Sequence, residues 1–125
     1  MAAVERAHFE QLVAEAIDSL PEDFRRRMDN VAVVVEDYPS PRDERRFAHG
    51  RLLLGLYQGQ PLTRRDSRYA MAFPDKITIY QANIETISHT DDEVRDQVRR
   101  TVLHEIAHHF GISDARLRGL KRGAL

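Results

Sequence analysis

The chain has 125 residues, no cysteine and no tryptophan, and 19 Lys+Arg against 20 Asp+Glu. That length makes one domain, 1–125, the expectation, and an apolar fraction of 42% is enough for one modest core. Without cysteine there is no disulfide framework, iron–sulfur cluster or thiolate zinc site, and charges that nearly cancel argue against nucleic-acid binding through bulk charge. Any metal must therefore be held by His, Asp or Glu. Glu5, Glu10 and Glu15 interrupt the segment where a signal peptide would need an apolar run, and no stretch approaches the roughly 18–20 apolar residues of a membrane span. The expected setting is the cytoplasm, with no membrane partner.

Val4, Phe9, Leu12, Val13, Ala16, Ile17 and Leu20 recur at steps of three and four, which predicts an amphipathic helix over about 3–19. Pro21 then opens a short second helical turn at a position where proline is tolerated. Residues 31–35, Val-Ala-Val-Val-Val, are a continuous apolar run and read as a strand buried on both faces. Residues 38–44, with Pro39, Pro41 and alternating charges, read as a loop. Residues 52–57 read as a second strand, in which Gly55 marks a bulge or a close backbone approach.

A turn signal at 58–61 and a polar stretch at 63–68 lead to a third strand over 73–80, with Ile77 and Ile79 on one face and Thr78 and Tyr80 on the other. Thr90 and Glu93 fit a capping box. The helix they open runs to Phe110 on a buried stripe of Val94, Val98, Val102, Leu103 and Ala107. Gly111 sits where a left-handed cap belongs, Ile112 supplies the apolar residue that packs beside such a cap, and the rest of the chain has room for one short helix. The class is α+β.

The chemistry sits on that last helix. His104 and His108 are four apart, so they share one helical face about one turn apart and can reach one ion. Glu105, beside the first histidine, can take the proton of a water at the metal without being a ligand. Gly111 lets the chain turn back, and Asp114 can then offer a third ligand, leaving an open fourth position as catalytic zinc sites do. Given this composition, His-Glu-x-x-His arises by chance in roughly one such chain in fifty, and with Gly111 and Asp114 in roughly one in ten thousand.

The run His104-Glu-Ile-Ala-His-His-Phe-Gly-Ile-Ser-Asp114 resembles the zinc motif of the zincin metallopeptidases, and most closely that of the small bacterial single-domain zincins. Leu54-Gly-Leu-Tyr-Gln-Gly-Gln-Pro61 and Phe73-Pro-Asp-Lys-Ile-Thr-Ile-Tyr80 are similar to the same family, so the likeness extends over 20–120. The resemblance implies a minimal zincin-like fold: a small mixed or antiparallel sheet of about three to four strands packed on an N-terminal helix and a C-terminal active-site helix. It also implies one zinc per chain, with His104, His108 and Asp114 as ligands and Glu105 as base. Against larger zincins, no Met follows Met71 to form a methionine turn, and no second lobe is expected beyond the helix. An open site of this kind gains affinity by strand addition, for which Lys76 to Tyr80 is the candidate edge.

By residue type, Tyr57, Tyr80, Arg64 and His109 are the candidates for stabilising an oxyanion. His109 lies about 100° around the helix from His108 and reads first as a supporting residue or a helix-end cation near the negative end of the dipole. His8, His49 and His89 read as surface histidines. The arginines at 25–27, 45–46, 64–65 and 99–100 read as solvated faces rather than a nucleic-acid surface. The expected function is a mononuclear zinc peptidase acting on a peptide or protein substrate, and the alternative is a catalytically idle, metal-stabilised module that binds a protein partner. An anionic Asp ligand weakens zinc as a Lewis acid, which predicts an activity optimum somewhat above neutral.

Overall fold

The N-terminal apolar stripe forms helix α1 (Arg6–Asp18), whose Phe9, Leu12, Val13 and Ala16 are buried. The structure is a computed structural model that describes residues 1–26, 28, 30–59 and 75–111. Arg64, Ile112, Asp114, the stretch 60–74 and any terminal helix lie outside the described residues. Pro21 precedes α2 (Glu22–Arg26), and the Phe24 ring stacks on Phe110 with centroids 5.0 Å apart. Strand β1 (Val31–Glu36) follows.

Residues 38–44 are not simply a loop. Ser40 accepts a hydrogen bond from Asp43 N–H and Pro41 takes the first helical position, so α3 (Pro41–Asp43) begins there and continues into a π-helical turn (Glu44–Ala48). A Ser cap followed by proline is a helix-start signal that the two prolines masked. His49 then leaves the turn in the left-handed region, at φ 50° and ψ 44°.

Strands β2 (Gly55–Gln58) and β3 (Asp75–Tyr80) complete a three-stranded sheet among the described residues, in the order β1-β3-β2. β3 pairs parallel with β1, Val31 opposite Asp75 through Glu36 opposite Tyr80. It pairs antiparallel with β2, Gly55 opposite Ile79 through Gln58 opposite Lys76. Two expectations fall here. β3 is the central strand, so Lys76 to Tyr80 is not an edge open to strand addition: both of its sides are already hydrogen-bonded. β1 is an edge strand and only half-buried along most of its length, although its β-branched run does pair in parallel.

The chain passes straight from β3 into α4 (Gln81–Thr86) with no side-chain cap, which is why no start signal marks that helix. Helix α5 (Asp91–Phe110) begins as expected, with Thr90 Oγ1 accepting from Glu93 N–H and Glu93 accepting in turn from His89 N–H. It ends at Gly111, left-handed at φ 65° and ψ 34°. Val94, Val98, Val102, Leu103 and Ile106 of α5 meet α1 and the central-strand residues Ile77 and Ile79 in one core.

Candidate metal centre

Helix α5 is pressed against the sheet along β2 and β3, and the contact is close because Gly55 has no side chain. A Cβ there would lie 2.6 Å from Thr101 Cγ2 and 3.2 Å from Glu105 Cγ. The second of the two roles expected of Gly55, a close backbone approach, is the one it fills. That approach brings the Glu105 carboxylate to the strand, where Oε1 accepts a hydrogen bond from Tyr57 N–H at 2.9 Å. Glu105 is buried, and His108 Nδ1 lies 3.4 Å from the same oxygen.

His104 and His108 stack one turn apart, edge to face, with ring centroids 4.6 Å apart. Donor atoms of His104, Glu105 and His108 all lie within 4.8 Å of one another, and burial across the set grades from buried Glu105 through half-buried His104 to exposed His108. Two converging imidazoles with a carboxylate beside them fit a zinc ion held by the histidines, with an acid at hand for its water. Beside them a cleft of about 270 Å³ runs between residues 52–55 and the Gln97, Arg100 and Thr101 side of α5.

Thr101, Glu105 and His109 recur every fourth residue, so they form one stripe along the sheet side of α5. His109 completes the stripe deep in the core. It is 2% exposed and its Nδ1 lies 2.6 Å from an oxygen of Asp75, which is wholly buried. It is therefore neither a solvated helix-end cation nor a donor facing a substrate; it supports the turn that carries His108. The Tyr57 ring packs edge-on against His109 with centroids 5.8 Å apart, and its hydroxyl is also buried. Tyr57 serves the site through its backbone N–H instead.

Tyr80 is 2% exposed, and burial pushes its phenol up to about 12, with the nearby charges of Asp43, Glu36 and Glu105 adding to the shift. It stays protonated at any physiological pH. Arg64 and Asp114 fall outside the described residues. The sequence reasoning missed Asp75 and the Tyr57 N–H. A signal for Asp75 was present: an acid at an inward-facing position of an apolar strand demands a partner. The backbone donor has no counterpart in the sequence.

No curated protein matches the chain significantly. Among solved structures, a conserved hypothetical protein from T. thermophilus is similar, at 25% identity and a TM-score of 0.57, with 92% of this chain and 98% of that chain covered. The family model for zincin-like metallopeptidases matches residues 28–124, which takes in both upstream stretches and the whole histidine motif. On that match, carried by the helix that brings His104, Glu105 and His108 together, the chain belongs to the zincin-like metallopeptidase family.

Proposed function

We propose that this chain is a mononuclear zinc peptidase, with His104, His108 and Asp114 holding the metal and Glu105 acting as base. The observation that carries this reading is the state of Glu105. Its Oε1 is fixed by Tyr57 N–H, while Oε2 has no hydrogen-bond partner among the described residues. With Oε1 tied to the strand, Oε2 is the oxygen left to take a proton from water, which supports the role of base.

When bound, zinc supplies Lewis-acid polarisation of a carbonyl and acidification of a water. The rest is done by the chain. His104 and His108 are held at fixed spacing by the helix, and the buried Asp75–His109 pair braces its last turn. Glu105 accepts the proton of the attacking water at Oε2 and returns it to the departing amine. The cleft beside Gly55, lined by residues 52–55 and Thr101, receives the peptide.

The test is turnover of a broad set of peptides by the parent chain and by Glu105→Gln. The variant is expected to keep its zinc and lose at least about a hundredfold in kcat, the usual scale for a general base. A Glu105→Gln chain with parental turnover removes Glu105 as base, and a zinc-loaded parent that cleaves nothing favours the module that only binds a partner.

A further inference from the structure

A second hollow, of about 710 Å³, lies beside the site, walled by the π-helical turn and the residues that follow it. Its backbone is unusual twice over. The chain abandons α-helical spacing at Glu44–Ala48, and His49 is the one non-glycine residue with positive φ among the described residues. π-turns and left-handed non-glycine residues each cost free energy and gather at functional sites. Together they place Arg45, His49 and Arg51 around one concavity, with Glu44 as the acid among them.

These three side chains are exposed, and none of them makes an ion pair or hydrogen bond among the described residues. By contrast, Arg6, Arg95 and Arg100 all have carboxylate partners. The hollow also adjoins the cleft at the metal centre. Leu52, an aliphatic side chain 46% exposed, lines both this hollow and the 270 Å³ cleft at His104 and Glu105. A ligand that extends from the cleft across Leu52 would reach Arg45, His49 and Arg51.

We infer that the Arg45–His49–Arg51 hollow is a docking subsite for the acidic flank of a peptide substrate, whose aliphatic residue rests on Leu52 and whose backbone continues into the cleft at Glu105. This rests on the peptidase reading and names the substrate class it would serve. Unpartnered guanidinium groups at the mouth of a cleft raise the local concentration of anionic segments, which suits a site with little wall of its own. A polynucleotide is disfavoured: its affinity comes from many phosphate contacts, and the chain as a whole carries a charge of −1.

The experiment is fluorescence anisotropy with labelled decapeptides on the 125-residue Glu105→Gln chain, which is expected to bind without cutting. One peptide carries Glu and Asp ahead of a Leu-Ala segment, and its control carries Gln and Asn at the same places. The acidic peptide is expected to bind about tenfold more tightly, with the advantage shrinking as salt is added. Adding Arg45→Glu and Arg51→Glu should abolish that advantage, while Arg25→Glu with Arg26→Glu on α2 should leave it. If the charge reversal disturbs folding, Arg45→Ala with Arg51→Ala gives the same readout at exposed positions. Equal binding of the two peptides overturns the proposal, as does an equal effect of the α2 reversal or tighter binding of oligouridylate. The two readings fail separately. Acidic-peptide binding by a parent that cleaves nothing sinks the peptidase and leaves the subsite, whereas equal cleavage of acidic and amide peptides does the reverse.

Discussion

Single residues decide how closely the helix and strand of this site can meet. Gly55 is the clearest case, since any side chain would collide with Thr101, a β-branched residue with little rotamer freedom on a helix. Gly55→Ala is expected to destabilise the fold by about 1–3 kcal/mol in urea denaturation, the usual cost of overpacking. A variant as stable as the parent would mean that the helix can retreat without loss. Tyr80 gives a pH-dependent prediction. Its folded-state value of about 12 lies above the ordinary 10, so the native state keeps a proton that the unfolded chain releases. This contribution is complete below pH 10 and is lost as pH rises toward 12, at a slope of up to about 1.4 kcal/mol per pH unit. Tyr80→Phe should flatten the decline, which urea titrations across that range would reveal; identical slopes would contradict this role for the phenol.

At the scale of elements, the site is a junction between α5 and the β2–β3 pair, and its legibility in the sequence divides along that line. Everything local to α5 could be read: the Thr90 cap, the apolar stripe, the histidine spacing and the Gly111 stop all act within a few residues of one another. The partners across the junction could not. Tyr57 N–H and Asp75 reach Glu105 and His109 only because β2 and β3 pair in one register, and register is set by the whole sheet. The same limit explains the misplaced edge. Alternating residues 77–80 are compatible with a strand anywhere in a sheet, and only the parallel pairing with β1 makes it central. The buried Asp75–His109 pair should be the energetic anchor of this junction. Asp75→Ala removes the carboxylate beside a buried imidazole and is expected to cost about 3–5 kcal/mol in urea denaturation, against which a loss below about 1 kcal/mol would show that the pair is incidental.

For the molecule as a whole, smallness has two consequences. One core serves both fold and site: α5 contributes Val94, Val98, Val102 and Ile106 to it while carrying His104 and His108 on its edge. The cleft at His104 and Glu105 is small, about 270 Å³, so under the proposed function a substrate gains contact from neighbouring surface such as the Arg45–Arg51 hollow. No helix among the described residues is long and apolar enough to cross a membrane. The class and family could be read from the sequence because the motif is local and the element order simple, whereas nothing in residues 44–49 marks the π-turn or the left-handed His49 that ends it. The most direct measurement of the central claim is the metal content of the purified protein by mass spectrometry, for the parent chain, Glu105→Gln and His104→Ala. One zinc per chain is predicted in the parent and in Glu105→Gln, with loss of zinc in His104→Ala. A parent chain that holds no zinc when supplied with it, or a Glu105→Gln chain that loses it, would contradict a site in which the histidines bind and the glutamate reacts.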